Sequence, residues 1–352
     1  MSRFLQLHTL TFHAPSNINR DDTGRPKTAI IGGAERLRIS SQAIKRAIRT
    51  SDVFQRAMAG HLGSRTQRLG DEIVQVLQAD GLSTDKALLA AREVAAFFGK
   101  LKGEKDKAPA HIEQLAFISP TERENALNLA RRVAAGEKLD PKKETPLLAV
   151  DTAVDIAMFG RMLADSAEFN REAAVQVAHA FTTHKAVVES DFYTAMDDEK
   201  PTQEDVGAGF IGATGFGSGV YYIYACVNLD LLQKNIGGDA DLAGRAVAAF
   251  VEALSTVTPS GKINSFANHG RPAFVLAELG NQQPRTLSGA FVKPVAGDNL
   301  MVDSISRLVA YRDNMDAAYG HCADTHTQMN VQEGAGTLAE IISFVREGVG
   351  HA

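Results

Sequence analysis

The clearest chemistry in the sequence lies in a run of serines, basic residues and apolar residues between Arg36 and Arg49. Apolar residues recur there every three or four positions, which predicts a helix with one face on the core. Ser40 or Ser41 can cap this helix, because a hydroxyl oxygen accepts a hydrogen bond from a free backbone N–H. The polar side chains on the face opposite the core are Gln42, Lys45, Arg46 and Arg49.

The start of this predicted helix is suited to a phosphate group. Free backbone N–H groups and the positive end of the helix dipole lie there, and both attract anions. Lys45 and Arg49 point to the same place, and other basic residues are near in sequence: Arg20, Lys27 and Arg38. The segment therefore predicts phosphate binding, and the alternative is an ordinary capped helix on the surface.

The charge of the chain is distributed unevenly. The 352 residues carry a net charge of -5, which by itself argues against a nucleic-acid partner. Residues 1–50 nevertheless hold nine Lys or Arg and three Asp or Glu, so they carry +6 and the remainder carries -11. This asymmetry favours a protein that binds a polyanion locally and repels it elsewhere, although a solvated basic face would look the same.

A glycine pattern suggests a dinucleotide site. Gly207, Gly209 and Gly212 have the G-x-G-x-x-G spacing, and Asp230 lies near the distance expected of a ribose-binding acid. That fingerprint follows a strand and opens a helix, whereas here it follows an acidic stretch and precedes the strand-like SGVYYIYAC. We therefore expect a Gly-rich hairpin with Phe210 and Ile211 at its tip.

Asp21 and Asp22 could hold Mg²⁺ beside a phosphodiester and support hydrolysis. Adjacent aspartates are more typical of turns, and no third acidic ligand is near in sequence, so we predict no metal, no cofactor and no catalytic residue. Only two cysteines occur, without a CxxC, which argues against a disulfide framework and a cysteine zinc site. The first residues do not resemble a signal peptide and no apolar run is long enough to cross a membrane, so we expect a cytoplasmic protein without a membrane partner.

Periodicity and turn residues predict mixed secondary structure in an α+β or α/β core with appendages. Strands are expected at 3–13, 147–157, 218–229 and 273–279, and a loop at 17–33. Helices are expected at 168–179, 239–255, 298–318 and 337–347, and an alanine-rich helical insertion at 61–146 contains a capping box between Ser119 and Glu122.

Six motifs resemble the CasC family, the backbone subunit of type I-E CRISPR Cascade complexes. They are N-R-D-D (19–22), G-G-x-x-R-x-R-I-S-S-Q-x-x-K-R-A (32–47), V-D-I-A-x-x-G-R-M (154–162), A-H-A-x-T-T-H (178–184), D-x-x-T-A-x-D-D (191–198) and F-x-S-G-V-x-Y-x-Y-A (216–225). They occur in the family's order over the first two thirds of the chain.

The resemblance implies an α+β fold shaped like a right hand. An RRM-like (ferredoxin-like) palm would comprise residues 1–60, 147–190 and 220–352, with a helical fingers insertion at 61–146 and a β-hairpin thumb at 191–219. Copies of the chain would stack into a helical filament along the spacer of a CRISPR RNA. Other Cascade subunits would be partners, and target DNA would bind through the guide.

The resemblance also assigns site residues. RNA contacts are expected from Arg20, Lys27, Arg38, Ser40, Gln42, Lys45, Arg46, Arg49 and Arg161, and base contacts from Met162, Tyr193, Thr194 and Ile211. The family usually has Phe at the position of Tyr193 and Leu at that of Ile211. Separately from the resemblance, a second basic cluster in the predicted fingers, with Lys138, Lys142 and Lys143, predicts contact with DNA, and the alternative is an ordinary solvated helix end.

Three functions follow from these patterns. The first is a non-catalytic RNA-binding subunit in antiviral defence. The second is a metal-dependent ribonuclease that uses Asp21 or Asp22, because related type III backbone subunits cut target RNA from an aspartate in an N-terminal loop. The third, disfavoured by its sequence context, is a nucleotide-dependent oxidoreductase built on GAGFIG.

Overall fold

The computed structural model describes residues 2–141, 143–195 and 210–349. The strands are β1 Phe4–Ser16, β2 Thr28–Ile31, β3 Ala34–Ile39, β4 Ser64–Thr66, β5 Ala116–Ile118, β6 Val175–Val177, β7 Ala180–Thr182, β8 Glu189–Ala195, β9 Phe210–Asn228, β10 Pro272–Gly280 and β11 Thr325–Asn330. The helices are α1 Ser41–Arg49, α2 Asp52–Ala57, α3 Leu69–Ala79, α4 Thr84–Ala95, α5 Pro120–Ala134, α6 Val154–Phe159, α7 Leu229–Asn235, α8 Ala240–Thr256, α9 Ile263–Phe266, α10 Leu300–Tyr319 and α11 Leu338–Val349.

Strand β1 lies at the centre of the main sheet, between β10 and β9. Among the described residues, nine strands form this sheet, in the order β11-β10-β1-β9-β7-β3-β2, with β6 and β8 also paired to β9. Each of these pairs is antiparallel. Segregated helices beside an antiparallel sheet confirm the predicted α+β class and exclude the α/β alternative.

One face of the sheet packs against helices. Alternate residues of β1, including Leu5 and Leu7, share a core with Ile44 and Ile48 of α1 and with apolar residues of α8 and α11. Side chains in a strand alternate between faces, so this core takes every second residue of the three central strands. The packing fixes helix α1 by its apolar stripe and leaves its polar side away from the core.

The opposite face of the sheet is covered in part by α10 and a short 3₁₀ turn at Ser288–Phe291. Tyr222 and Phe291 lie with ring centroids 5.3 Å apart in this second core. His8 is fully buried on this face, where Nδ1 is 2.8 Å from the Tyr222 hydroxyl and Nε2 is 3.2 Å from a Glu278 oxygen. Burial lowers the pKa of His8, which favours the neutral imidazole.

A separate core forms mostly between Leu69 and Leu147, with Leu163 added to it. Helices α3, α4 and α5 pack together with the two-stranded sheet of β4 and β5. The predicted capping box is confirmed: Ser119 Oγ accepts from the Glu122 N–H at 3.1 Å, and Glu122 Oε2 accepts from the Ser119 N–H at 3.1 Å. Glu122 also accepts from the Leu148 N–H at 2.9 Å, which ties helix α5 to the chain that follows it.

Three of the predicted elements are wrong. The strand expected at 147–157 is an irregular segment followed by α6, and the helix expected at 168–179 contains β6, with Val175 and Val177 buried against the helices. The loop expected at 17–33 contains β2, which pairs with β3 through a two-residue turn at Gly32 and Gly33. Both glycines have positive φ, as a type I′ hairpin turn requires.

The hairpin of β8 and the first part of β9 extends beyond the sheet's central strands. Ala195 pairs with Phe210, while Glu189 pairs with Phe216 at the base. Residues 196–209, including Gly207 and Gly209 of the glycine pattern, lie outside the described residues. Gly212 lies within β9, so the pattern leads into a strand rather than a helix. Among the described residues, no helix is both long and apolar enough to cross a membrane.

Candidate nucleic-acid interface

Helix α1 has the geometry that its sequence predicts. Ser40 is the N-cap, and its Oγ accepts a hydrogen bond from the Ala43 N–H at 3.3 Å. Ile44 and Ile48 are buried, whereas Gln42 and Arg46 are exposed and Lys45 and Arg49 are half-buried. Asn19 connects the preceding loop to this helix, because its Oδ1 accepts from the Ser40 N–H at 2.8 Å.

His179 lies against the start of α1, which the sequence did not predict. Its Nδ1 accepts from the Ser41 N–H at 3.2 Å and from the Arg38 guanidinium at 3.0 Å. Partial burial and then the charges of Arg38 and Lys27 lower the pKa of His179, so the neutral ring with its proton on Nε2 is favoured. The Ser41 N–H is therefore occupied, and the N–H of the exposed His179 imidazole is left as a donor at the start of α1.

Four cations meet beside α1 in a groove of about 600 Å³, here called the basic groove. Its cations are Lys45, Arg46 and Arg49 of α1 and Arg65 of β4. Gln42, Gln55, Leu115 and Phe159 also line it. Arg65 was missed because it lies in a three-residue strand with no local pattern, and only the folding of residues 61–146 against α1 brings it near.

The charges in the basic groove are poorly compensated. Burial and then the charge of Arg65 lower the pKa of both Lys45 and Arg49, and Arg46 lowers that of Arg49 further. The nearest counter-charge is Asp155, whose Oδ2 lies 4.0 Å from Arg49 Nη1. Repulsion among cations costs free energy that a bound anion would relieve, so the groove is suited to phosphate.

Asp155 is itself buried beneath this groove. Its Oδ1 accepts from the Gly63 N–H at 2.7 Å and from the Ile156 N–H at 3.1 Å. Burial raises the pKa of Asp155 to about 6 despite these hydrogen bonds and the nearby Arg49. The carboxyl group thus joins α1, α6 and the chain leading into β4.

The N-terminal loop places its basic residues near α1 and uses one aspartate internally. Arg20 is exposed and Lys27 is half-buried. Asp21 Oδ1 accepts hydrogen bonds from the Thr23 N–H, the Thr23 hydroxyl and the Arg25 N–H, each at 2.8 or 2.9 Å. These bonds, that of the Thr23 hydroxyl first, lower the pKa of Asp21. Asp21 thus forms a turn, and the described residues contain no group of three or more potential metal ligands.

The predicted base-contacting residues occupy two places. Met162 is 84% exposed, beyond helix α6. On the hairpin, Tyr193 is 44% exposed and pairs with Gly212, while Thr194 is exposed and pairs with the backbone of Ile211, whose side chain is not described. Phe192 was not predicted as a site residue but is 67% exposed. The hairpin therefore presents apolar groups on the surface.

Arg161 does not join the groove. Its side chain is 1% exposed, and it forms a buried ion pair with Glu122 at 2.6 Å. The guanidinium also donates to the carbonyl oxygens of Phe117, Leu148 and Phe169. This burial corrects the expectation that Arg161 contacts RNA. The charged group lies in the interior and holds segments of the chain together.

Two of the lysines expected to contact DNA lie in a segment where other charges are paired. Lys138 and Lys143 are exposed, and Lys143 Nζ lies 3.5 Å from Asp140. Lys142 lies outside the described residues. The neighbouring arginines form ion pairs with carboxylates: Arg131 with Asp80, and Arg132 with Glu137 and Glu144. The surface is therefore less basic than its sequence indicates.

Comparisons with known proteins give one family model and several similar solved structures. A family model described as "CT1975-like protein" matches residues 5–343. A solved chain of a "CRISPR RNA-guided surveillance complex, pre-nicking" is 32% identical with a TM-score of 0.87, over 98% of this chain and 100% of that one. A chain of another "CRISPR RNA-guided surveillance complex" is 29% identical with a TM-score of 0.74, over 99% and 100%. No curated protein matches the chain. By its match along nearly the whole sequence, and by its likeness to these surveillance-complex chains, the chain belongs to the CT1975-like protein family.

Proposed function

We propose that this chain is a non-catalytic, RNA-binding backbone subunit of a type I-E Cascade complex, in the CasC family. It would polymerise along the spacer of a CRISPR RNA and present that RNA for pairing with target DNA in antiviral defence. The observation that carries the proposal is the basic groove, where four cations lie together and, among the described residues, one carboxylate, that of Asp155, pairs with them, at 4.0 Å from Arg49. The likeness to chains of RNA-guided surveillance complexes supports the same ligand.

The proposed division of labour follows the hand-shaped architecture. The palm (1–60, 147–190 and 220–352) would be RRM-like and hold RNA phosphates through α1 and the loop before it. In support, the central strands and two helices occur in the order β1, α1, β6 with β7, β9, α8 and β10, a β-α-β-β-α-β succession. The fingers (61–146) would carry the other side of the groove. Bases would be contacted by Met162 of the palm and by the exposed hairpin residues of the thumb (191–219).

Copies of the chain are proposed as partners of one another, together with other Cascade subunits. The exposed aromatic rings of Phe192 and Tyr193 would gain from contact with bases, where stacking contributes on the order of 1–3 kcal/mol per base. A lone chain has neither an RNA base nor a second copy of itself to contact. The hairpin is thus the element through which RNA binding and self-assembly would be coupled.

A ribonuclease that uses Asp21 or Asp22 is the alternative. Asp22 is exposed, whereas Asp21 accepts three hydrogen bonds within its turn, which favours a structural role for that carboxylate. Purified assembly incubated with complementary RNA and Mg²⁺ should leave the RNA intact. Cleavage that disappears in the Asp21→Ala/Asp22→Ala variant would establish the alternative.

The central experiment removes two groove cations by Lys45→Ala with Arg49→Ala. RNA affinity should fall about equally for all guide sequences, because phosphates carry no sequence information. The slope of log K against log salt should fall in magnitude by about 0.7 for each lost contact with single-stranded RNA. Fluorescence anisotropy over a range of salt concentrations measures both quantities.

A matched control removes the same charge elsewhere. Lys234 of α7 and Arg245 of α8 are outside the groove, and Lys234 is exposed while Arg245 pairs with Asp241. Lys234→Ala with Arg245→Ala should leave affinity and slope nearly unchanged. Equal behaviour of the two double variants would rule out the basic groove as the RNA site.

A further inference from the structure

Two guanidinium groups of the basic groove lie over one aromatic ring. The Arg65 guanidinium carbon is 4.6 Å from the centroid of the Phe117 ring, and that of Arg49 is 5.5 Å from it. The two arginines come from different parts of the fold, since Arg49 ends helix α1 and Arg65 lies in β4. Such stacking holds a guanidinium plane in place while its N–H donors stay free for other partners.

The local structure fixes this arrangement. Arg65 and Phe117 are directly opposite each other in the antiparallel pair of β4 and β5. The Phe117 ring is buried, and a Cβ at Gly63 would lie 3.0 Å from its edge, so that glycine permits the close approach. Arg161 donates to the Phe117 carbonyl from the interior at 3.2 Å. The arginines and Gly63 thus adjoin the Phe117 ring, while Arg161 holds its backbone.

Positive charge is in excess around this ring. Within the part of the chain that the structure describes, no carboxylate forms an ion pair with Arg65, and Asp155 lies behind Arg49 at 4.0 Å. Burial lowers the pKa of Lys45, and the positive charge of nearby Arg65 lowers it further. Cations held together in a half-buried groove, with N–H donors still free, form a site for an anion that accepts hydrogen bonds from two of them.

We propose that Arg65, with Lys45 and Arg49, binds one phosphodiester of the RNA strand on the fingers side of the basic groove. Phe117 is a positioning residue for this phosphate, since it touches the two guanidinium groups and not the ligand. The proposal rests on the proposed function and extends it: the RNA path crosses from α1 onto strand β4, so the palm and the fingers hold the same strand. The ligand class is a single-stranded phosphodiester, and no base is recognised at this position.

The test uses the full chain and a single-stranded RNA oligonucleotide of guide length. Arg65→Ala should reduce the magnitude of the salt slope by about 0.7. Because the association constant varies as the salt concentration raised to this slope, affinity at 0.1 M salt should fall roughly fivefold, since 0.1 to the power of about 0.7 is about 0.2. Arg65→Lys should keep the slope but lose part of the affinity, because an ammonium group does not stack as a guanidinium plane does. Phe117→Leu should lower affinity with the slope unchanged, since all the charges remain.

Arg68→Ala is the matched control. Arg68 is exposed three residues from Arg65, and it does not line the groove. Its variant should retain the affinity and slope of the parent chain. Thermal melting of each variant shows whether it is folded, and Arg65→Ala should melt like the parent because Arg65 is exposed.

The outcomes separate this inference from the proposed function. If Arg65→Ala matches Arg68→Ala while Lys45→Ala/Arg49→Ala weakens binding, Arg65 is not a phosphate ligand but the groove still binds RNA. If all three variants bind as the parent does, both the inference and the proposed site are wrong. A loss of slope in Arg65→Ala, absent in Arg68→Ala, supports the phosphate position.

Discussion

Asp155 illustrates how a single buried carboxyl group links the stability of this chain to pH. Its pKa of about 6 lies above the ordinary value of 3.8, so the folded chain holds this proton more tightly than the unfolded chain does. The resulting contribution to stability is present at low pH and is lost as pH rises from about 4 through about 6. Ionised Asp155 is tolerated at neutral pH because Gly63, Ile156 and Arg49 surround it.

Asp155→Asn should remove this pH dependence. The asparagine Oδ1 can still accept from the Gly63 and Ile156 N–H groups, so the packing is retained. Between pH 5 and pH 7.5 the wild type should lose about 1 kcal/mol of unfolding free energy relative to the variant. Urea denaturation of both proteins at several pH values measures the difference, and parallel curves would contradict the raised pKa. Comparing the two proteins cancels the effect of buried histidines such as His13, whose pKa burial lowers to about 4.

At the scale of elements, the junction of helix α5 with the following chain depends on the ion pair between Arg161 and Glu122. Removing one partner from a buried pair leaves an uncompensated charge, so Arg161→Met should cost about 3 kcal/mol of unfolding free energy. Glu122→Gln combined with Arg161→Met should recover much of that loss, because no buried charge then remains. Urea denaturation of the single and double variants provides the measurement.

The same variants decide whether Arg161 contacts RNA. The folded Arg161→Met chain should bind RNA with the salt slope of the wild type, since its guanidinium is 1% exposed. A slope lower by about 0.7 would instead mean that a phosphate contact had been lost. Because Arg161 also holds the Phe117 carbonyl, a small change in affinity without a change in slope is consistent with its structural role.

The fingers lysines provide a second prediction at this scale. Lys138→Glu, Lys142→Glu and Lys143→Glu together should weaken target-DNA binding by the guide-loaded assembly, most strongly at low salt, while guide RNA is retained. The control reverses three other exposed fingers lysines: Lys86, Lys105 and Lys107. Filter binding at two salt concentrations compares the two triple variants. Equal DNA affinities would show that Lys138, Lys142 and Lys143 do not contribute to DNA binding.

For the whole molecule, the proposed self-assembly depends on the hairpin of β8 and β9. Ala195 and Phe210 are cross-strand partners, so an Asn-Gly pair can replace residues 196–209 and close the hairpin as a type I′ turn. The shortened chain should melt within about 2 °C of the parent, because the cores on both faces of the sheet and the core of α3, α4 and α5 are untouched. It should fail to assemble cooperatively on RNA, as measured by sedimentation and electron microscopy. Full-length filaments from this variant would show that other surfaces set the repeat.

Local patterns predicted the elements whose stability is local. The apolar stripe and serine cap of α1, the capping box at Ser119 and Glu122, and the aromatic strand within β9 all appear as expected. Each depends on residues within a few positions of one another. By contrast, the alanine-rich residues 168–179 have helical propensity, yet β6 forms there because pairing with β9 satisfies its backbone and buries Val175 and Val177.

The sequence by itself determined the family resemblance, the α+β class and the basic face of α1, since motif order, periodicity and capping are readable along one segment. Only the tertiary structure decided which charges reach a ligand. It buried Arg161 against Glu122, placed His179 on the Ser41 N–H, and brought Arg65 onto the ring that Arg49 shares. These partners lie tens to more than a hundred residues apart in the sequence. Because burial and Coulomb interactions depend on distance in space, the spacing of residues along the chain does not predict these contacts.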